Sequence, residues 1–316
     1  MKFLATLMLA AGALVIPNAA LAQDDYPNKP ITLIYPWPVG GVSDVLTRAM
    51  QPFLEKELGV RVLPVAKPGG NMEVGTVAMA NAEPDGYTIG QVSDPPFVLL
   101  TLKDDKLVSL DDFVYLATTS WDEVAISVPV DSPYDTFDKF IDAARAGKIK
   151  FGISGIGSSD EYWGYAFFMK AIGAEENSVG FKGFSPAETA MAGGHVDAVS
   201  GNVGSMSARP DLHKVIVTFG DERSTYFPNV PTAKEMGYDA VMAATRLFVA
   251  PAGVPADRVA KLRDAFAAVA KNPEAQAALA AQKLPIEYLD AEKTREYIIK
   301  QEKTFGGIGG AGVVAQ

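Results

Sequence analysis

The feature that most constrains the fold is the regular alternation of short strand-like runs with amphipathic helical stretches. ITLIYPW (31–37) is rich in β-branched and aromatic residues, and the apolar spacing after it predicts a helix over Val45–Leu58. KIKFGIS (148–154) is followed in the same way by a helical stretch over 158–173. Strands that alternate with helices form a mainly parallel sheet covered on both faces. The chain is therefore predicted to be an α/β protein.

The alternation continues for more strands than one domain needs, and no linker-like segment interrupts it. We therefore predict two α/β lobes, with a second crossing of the chain between them at ATRLFVAPAG (244–253). Two such lobes form a cleft where the carboxyl ends of strands and the N-termini of helices meet. The free N–H groups at those helix starts favour an anion.

The first 22 residues have the pattern of a secretory signal peptide. Lys2 precedes a short apolar run broken by Pro17, and Ala20-Leu21-Ala22 predicts cleavage after Ala22. The alternative is a membrane anchor, but the run is shorter than the ~20 residues that a spanning helix needs. The chain has no cysteine, so neither a lipid anchor on cysteine nor a disulfide framework is available. We expect an exported protein of a bacterial periplasm.

Composition excludes some partners. The 316 residues are 48% hydrophobic and 21% charged, which is ordinary for a globular protein, and the formal net charge is −10. A net acidic protein is a poor partner for nucleic acid or for an anionic membrane. Any anionic ligand must therefore be held by local geometry, because the overall field repels it.

The segment PWPVGG (36–41) places two prolines and two glycines where the first strand passes into the first helix. Gly40 and Gly41 allow the backbone to approach a ligand closely and to adopt positive φ, and the prolines stiffen the loop. Ser43 can donate its hydroxyl to an oxyanion, whereas Asp44 suits a helix cap better than a carboxylate contact. The structural alternative is an ordinary strand–helix connection.

A second glycine-rich segment, GISGIGSS (152–159), has to be compared with the motifs of hydrolase and nucleotide-binding sites. A nucleophile elbow needs Gly-x-Ser-x-Gly, but here glycine directly follows Ser154. The two histidines are His195, predicted in a turn, and His213, predicted to be exposed, so a Ser–His hydrolase is disfavoured. The Lys-Ser/Thr end of a P-loop and the third glycine of a dinucleotide fingerprint are absent. Without cysteines or EF-hand spacing, we predict neither a metal nor a cofactor.

Six collinear segments resemble the solute-binding proteins of tripartite tricarboxylate transporters, also called the Bug family. They are PNKPITLIYPWPVGGVSDVLTRAM, PGGNMEVGTVAMANAEPDGYTI, GISGIGSSDEYWGYAFF, FKGFSPAETAMAGGHVDAV, NVPTAKEMGY and LFVAPAGVPADRVAKL. Together they cover nearly the whole mature chain in order. The resemblance implies a two-lobed periplasmic binding protein of the type II, Venus-flytrap architecture, here with lobe 1 at 23–121 plus 246–316 and lobe 2 at 122–245.

In this family a ligand carboxylate is typically held between two loops, one from each lobe, by backbone N–H and hydroxyl groups. The loops that match here are 39–44 and 154–159. The ligand-binding residues that the resemblance implies are Val39, Gly40, Gly41, Ser43, Ser154, Gly155, Ile156, Gly157, Ser158 and Ser159.

The pocket walls depart from the family. Glu161 stands where many relatives carry a histidine, and Arg246 lies in a segment where many carry an aromatic pair. Arg246 could grip a second carboxylate or pair with a neighbouring acid. Asp94, like Asp122 and Glu123, is predicted at a strand end that faces the cleft, where it could bind a ligand ammonium or hydroxyl group or cap a helix. Aromatic candidates for stacking, or for core packing, are Trp37, Phe97, Trp121, Trp163 and Phe184.

The sequence therefore predicts a receptor that captures a small organic carboxylate, a di- or tricarboxylate or an aromatic acid, and delivers it to membrane permease subunits. Such a receptor is expected to act as a monomer, without inserting into the membrane. The alternatives are a sensor that presents its ligand to a membrane partner, a secreted enzyme that uses Glu161 as acid or base, and a structural or adhesion domain.

Overall fold

The computed structural model describes residues 25–307 except 71, 106, 283, 285 and 286. The predicted signal peptide, its cleavage after Ala22 and the glycine-rich tail from residue 308 therefore lie outside the described residues. The strands are β1 (Ile31–Tyr35), β2 (Val62–Ala66), β3 (Thr88–Asp94), β4 (Phe113–Val128), β5 (Phe151–Ser154), β6 (Ser178–Phe181), β7 (Ala198–Asn202), β8 (Lys214–Thr218) and β9 (Ala243–Pro251).

Helices follow most of these strands, as the alternation predicts. They are α1 (Val42–Leu58), α2 (Glu73–Ala80), α3 (Pro96–Thr101), α4 (Phe137–Arg145), α5 (Asp160–Ile172), α6 (Phe184–Ala192), α7 (Val203–Ser207), α8 (Ala256–Lys271), α9 (Pro273–Ala281) and α10 (Ala291–Gly306), with a 3₁₀ turn at Leu110–Asp112.

Strand pairing is parallel at the outer parts of the structure and antiparallel at its centre. The order is β2-β1-β3-β9-β4-β7-β5-β6, with β8 also paired to β4. β1 is parallel to β2 and β3, and β5 is parallel to β6 and β7. β9 is antiparallel to β3 and β4, and β4 is antiparallel to β7 and β8. The two-lobed α/β architecture is thus confirmed, with sheets that are mixed rather than mainly parallel.

The long strand β4 joins the two sheets. Between Phe113 and Glu123 it pairs with β9, and from Val124 to Val128 it pairs with β7 and β8. The sequence predicts two separate runs around Trp121, but the strand continues through this residue. The pairing between β4 and β9 shifts register at 115–117 and at 118–120, and the polar residues after Trp121 remain paired with β9.

The hydrophobic core lies under both sheets. Leu33, Leu46, Phe248 and Phe266 bring together β1, α1, β9 and α8 in one cluster. A larger cluster contains Phe140, Phe151, Tyr165, Phe168 and Phe219, together with two of the aromatic residues considered for ligand stacking, Phe97 and Trp163. Both of these are buried. Their place in the core follows from the large apolar area that a buried aromatic ring removes from water.

Candidate functional site

A cavity of about 310 Å³ lies where four segments of the chain meet. The segments are the β1–α1 loop, the end of β3, the β5–α5 loop and the start of β9. Its lining residues are Trp37, Pro38, Gly41, Val42, Ser43, Ser93, Asp94, Pro96, Ser158, Ser159, Asp160, Ala244 and Arg246. The structure thus brings the two predicted glycine loops to one cavity, although they are more than a hundred residues apart in the chain.

The β1–α1 loop forms the first wall. The Trp37 indole N–H donates to Ser93 Oγ at 3.3 Å, which fixes the ring beside the end of β3. Gly40 has φ of +86°, in the left-handed region that favours glycine. Its N–H donates to Asp44 rather than towards the cavity, and Val39 is exposed. Of the predicted residues in this loop, Trp37, Gly41 and Ser43 line the cavity.

Helix α1 starts at Val42, three residues before the predicted start, and no side chain caps it. The prediction that Ser43 or Asp44 caps this helix is wrong, because both lie inside its first turn. The first N–H groups of a helix have no partner within the helix. At α1 these groups belong to Val42 and Ser43, which line the cavity.

Asp44 instead holds the loop together from inside. Its carboxylate accepts hydrogen bonds from the Tyr35 hydroxyl at 2.5 Å, the Gly40 N–H at 2.9 Å and Arg48 Nε at 2.7 Å. Burial alone would raise the pKa of Asp44, but these three donors outweigh it, and the pKa is lowered. Both oxygens of the Asp44 carboxylate therefore have donors, and these hydrogen bonds hold the end of β1, the loop and the first turns of α1 together.

The β5–α5 loop forms the facing wall. Ser159 is the N-cap of α5: its Oγ accepts from the Tyr162 N–H at 3.0 Å and donates to Ser154 O at 2.5 Å. The Ser158 hydroxyl donates to the Gly155 carbonyl at 3.2 Å. Gly155 and Gly157 take positive φ. Ser158 and Ser159 line the cavity, whereas the predicted residues Ser154, Gly155, Ile156 and Gly157 are not part of its lining.

Two carboxyl groups also line the cavity: Asp94 at the end of β3 and Asp160 at the start of α5. Asp94 Oδ2 accepts from the Tyr297 hydroxyl at 2.8 Å. Asp94 Oδ1 is buried without a hydrogen-bond partner among the described residues. Burial, together with nearby Asp160, raises the pKa of Asp94 to about 7, against the opposing effect of the Tyr297 hydrogen bond. Asp160 Oδ2 accepts from Asn202 Nδ2 at 2.6 Å, and burial raises its pKa also.

Arg246 supplies the positive charge of the site. It stands on β9 opposite Ser120 of β4, and its Nη1 lies 3.5 Å from Ser120 Oγ. Burial lowers the pKa of Arg246, while the charges of Asp122, Asp160 and Glu161 raise it. No carboxylate oxygen of the described residues lies within 4.0 Å of its guanidinium. Arg246 is therefore held electrostatically by several acids rather than by one close pair.

Asp122 and Glu161 belong to this charge group but do not line the cavity. Asp122 Oδ1 accepts from the Gly204 N–H at 3.0 Å, and burial raises its pKa to about 6. Burial and the neighbouring Asp160 raise the pKa of Glu161 to about 8. The expectation that Glu161 is a wall residue is therefore not matched by its position, because Asp160, one residue earlier, faces the cavity instead.

A larger cavity of about 880 Å³ is lined in part by residues of β4 and α10, among them Trp121, Glu123 and Tyr297. The Trp121 and Tyr297 rings pack edge to face with centroids 4.8 Å apart. Alternate residues of a strand point to opposite faces, which explains why Trp121 and Glu123 line this cavity rather than the one beside Arg246. Tyr297 connects the two regions, since its hydroxyl reaches Asp94.

The prediction that His213 is exposed is wrong. Its imidazole is buried, with Nδ1 2.8 Å from Ser127 Oγ and Nε2 2.9 Å from Glu188 Oε1, and it stacks on Phe184. Ser127, His213 and Glu188 have residue types found in hydrolase triads. All three are buried and none lines the 310 Å³ cavity, so their arrangement is that of a satisfied polar cluster in the core. His195 lies in the turn before β7.

Six lining residues are not among the predicted ligand-binding residues: Pro38, Val42, Ser93, Pro96, Asp160 and Ala244. Asp160 carried a signal, because it directly follows the second glycine-serine loop. Tyr297, which donates to Asp94, carried none, since the two residues are 203 positions apart.

None of the helices in the described part of the chain has the length and apolar character needed to span a bilayer.

An α/β protein with two lobes and loops that meet at a common cavity has the architecture of a periplasmic binding protein. The chain belongs to the tripartite tricarboxylate transporter family of receptors, whose family model matches residues 46–309. This confirms the resemblance described above.

Individual relatives agree with this assignment. The chain is similar to Protein BugT of Bordetella pertussis, with 28% identity over 315 residues that cover 96% of each chain. It is also similar to a TctC solute-binding protein from Polaromonas solved without ligand, with 28% identity, 89% of this chain and 98% of that chain covered, and a TM-score of 0.81. MatC from Rhodopseudomonas palustris, solved with bound malate, shares the fold at 20% identity and a TM-score of 0.69, over 89% of this chain and 98% of that one.

Proposed function

We propose that this protein is a periplasmic receptor that captures a small organic carboxylate in the 310 Å³ cavity and delivers it to a tripartite tricarboxylate transporter permease. The observation that carries the proposal is the convergence of the β1–α1 and β5–α5 loops on one cavity that also contains Arg246. Family membership supports the receptor role. MatC, which shares the fold, was solved with malate.

The α1 side of the cavity has the chemistry to hold a carboxylate. The N–H groups at the start of a helix point at an anion, and the partial positive charge there stabilises it. Ser43 adds a hydroxyl, and Arg246 adds a guanidinium that can form two parallel hydrogen bonds to a carboxylate. Because Arg246 has no close carboxylate partner among the described residues, its donors are available to a ligand.

Capture is proposed to close the cleft. The proposed lobes are residues 23–121 plus 246–316 and residues 122–245, and the change of pairing along β4 between Glu123 and Val124 supports a boundary in this region. A ligand that contacts both loops binds the closed form better than the open form, and this difference shifts the equilibrium towards closure. The chain is proposed to act as a monomer in the periplasm after cleavage of its signal peptide.

The test is a titration of the purified mature chain against monocarboxylates, dicarboxylates, aromatic acids, amino acids and sugars, by thermal shift and then by calorimetry. A ligand at a hundred times its Kd adds about 2.7 kcal/mol of apparent stability. Arg246→Gln should lose this stabilisation, whereas Arg61→Gln, which removes an exposed ion pair with Glu55 far from the cavity, should keep it. The proposal fails if no carboxylate binds, or if Arg246→Gln binds as well as the wild type.

Transport and sensing begin with the same capture step. They separate in cells: a strain that lacks the permease should lose uptake of the ligand while the purified receptor still binds it. Uptake that is unchanged in that strain would contradict delivery to a permease.

A further inference from the structure

Ser93, near the end of β3, has contacts that bear on how the ligand is recognised. Resting on the proposed receptor function, we propose that the Ser93 hydroxyl donates a hydrogen bond to the ligand carboxylate that Arg246 holds, and that Trp37 positions this hydroxyl. Ser93 is then a specificity-determining residue that lies outside both predicted ligand loops.

The strand register places Ser93 and Arg246 side by side. β3 and β9 are antiparallel, and Ser93 is directly opposite Arg246; on the other side of β9, Ser120 of β4 is opposite Arg246 as well. The side chains of directly opposite residues project from the same face of a sheet, with Cβ atoms about 4.5–5.5 Å apart. Ser93 and Arg246 both line the 310 Å³ cavity. Their polar groups are therefore neighbours at the cavity wall.

The hydroxyl proton of Ser93 has no acceptor among the described residues. A serine hydroxyl has one proton to donate and two lone pairs. Ser93 Oγ accepts from the Trp37 indole N–H at 3.3 Å, and this is its only side-chain hydrogen bond within the described part of the chain. The side chains of its neighbours Trp37 and Arg246 are donors without acceptor atoms. Because Ser93 is half-buried and lines the cavity, its proton is available to a molecule bound there.

The pair of donors fits an acceptor group with two oxygens. Ser93 offers one donor, and Arg246 offers several, since its contact with Ser120 Oγ at 3.5 Å is its one side-chain hydrogen bond to the residues that the structure describes. A carboxylate has two oxygens with about four lone-pair sites, so one oxygen can accept from Ser93 and the other from Arg246. A neutral amide has a single acceptor oxygen and forms weaker hydrogen bonds.

The serines of the facing wall are already engaged. Ser158 and Ser159 donate their hydroxyl protons to backbone carbonyls of their own loop. Ser93 and Arg246, whose donors are available, both belong to proposed lobe 1. The family resemblance implies a carboxylate shared between the two loops. The distribution of available side-chain donors instead places the carboxylate against lobe 1, where the β5–α5 loop closes over it.

Trp37 acts through Ser93. The indole N–H occupies one lone pair of Ser93 Oγ, and the hydroxyl proton points in a different direction from that lone pair, away from the ring. Trp37→Phe keeps an aromatic ring but removes the N–H, so the hydroxyl loses the partner that fixes its orientation. This loss should weaken ligand binding only when the Ser93 hydroxyl is present.

The test begins with calorimetry of the purified mature chain against malate, adipate and benzoate, with malamide, adipamide and benzamide as neutral counterparts. The acid that binds most tightly is the probe for the variants. Ser93→Ala should weaken it about tenfold or more, the usual effect of losing a hydrogen bond to a charged group. Ser93→Thr keeps the hydroxyl and should restore most of the affinity.

A matched control and a double variant complete the experiment. Ser132 is also half-buried and its hydroxyl also accepts one N–H, from Tyr134, but it does not line the cavity; Ser132→Ala should keep the affinity of the wild type. Trp37→Phe should weaken the probe more in the wild type than in the Ser93→Ala background, because residues that act as one unit are not additive.

The outcomes separate this inference from the receptor proposal. Wild-type affinity in Ser93→Ala, or a Ser93→Thr variant as weak as Ser93→Ala, overturns the role of the hydroxyl and leaves the carboxylate receptor standing. Equal losses from Trp37→Phe in both backgrounds overturn the positioning role of Trp37. Amides that bind as tightly as their acids overturn carboxylate recognition, and absence of binding by every acid overturns the receptor proposal together with this inference.

Discussion

Burial of the Asp94 carboxyl group is expected to lower the free energy of unfolding at neutral and alkaline pH, and the size of this effect follows from the pKa of the group. The side chain is buried, and its pKa is raised from 3.8 to about 7. One pKa unit corresponds to 1.36 kcal/mol, so this displacement corresponds to about 4 kcal/mol in favour of the protonated form. A folded state that holds its proton more tightly than the unfolded state loses stability as pH rises between the two pKa values. The stability that the folded state gains by holding the Asp94 proton more tightly is thus fully present below pH 3.8 and is lost above pH 7.

Replacing Asp94 by asparagine removes this dependence while keeping an oxygen that can accept from the Tyr297 hydroxyl. Asp94→Asn should therefore increase the free energy of unfolding of the ligand-free protein. The increase should be about 3 kcal/mol larger at pH 8.5 than at pH 5, because most of the titration of the buried carboxyl lies between these values. Asp142→Asn, on the exposed face of α4, is the matched control and should change little at either pH.

The assay is urea unfolding of both variants and the wild type at the two pH values, followed by circular dichroism, with the free energies extrapolated to water. Equal gains at pH 5 and pH 8.5 would show that Asp94 is not held with a raised pKa. A variant less stable than the wild type at pH 8.5 would refute the argument that burial of this carboxylate is costly. If the stabilised variant also loses ligand affinity, the cost of the buried charge is connected to binding.

Three further outcomes are expected. Gly40→Val should weaken ligand binding without unfolding the chain, since a Cβ at this position meets no atom within 4 Å but the residue must adopt φ of +86°, a strain of about 1–3 kcal/mol. Gly59→Val, where the Cβ is equally open and φ is also positive at the other end of α1, should keep the affinity measured by calorimetry. Ser159→Ala and Thr136→Ala each remove a helix N-cap and should each cost about 1 kcal/mol in urea unfolding, but only the former should reduce affinity. Saturating ligand should reduce the radius of gyration measured by small-angle X-ray scattering; identical profiles with and without ligand would contradict cleft closure.

Local sequence patterns were sufficient to predict the elements that frame the site. PWPVGG and GISGIGSS predict two sharp connections between a strand and a helix, and both connections are present in the structure. Their convergence on one cavity follows from the rule that loops at the carboxyl ends of strands meet at the cleft of an α/β protein. The ligand role of the residues in these loops stays a prediction.

Local patterns could not predict interactions between distant parts of the chain. His213 is buried because Ser127 and Glu188, from a strand and a helix elsewhere in the chain, satisfy both of its ring nitrogens. Tyr297 reaches Asp94 from the C-terminal helix. In each case the deciding partner is far away in sequence, so neither hydrophobic spacing nor a motif carries the information. The start of α1 was predicted too late for a related reason, since the loop is fixed by Asp44 from inside rather than by a capping side chain.

The continuous strand β4 has a consequence for how the molecule unfolds. Its first part completes the sheet that contains β9 and β3, and its last part completes the sheet that contains β7 and β8. Neither sheet can lose β4 without breaking the ladder of the other. Although it has two lobes, the chain should therefore melt in a single calorimetric transition, and separate expression of either lobe should yield a polypeptide with an unpaired sheet edge that is prone to aggregate.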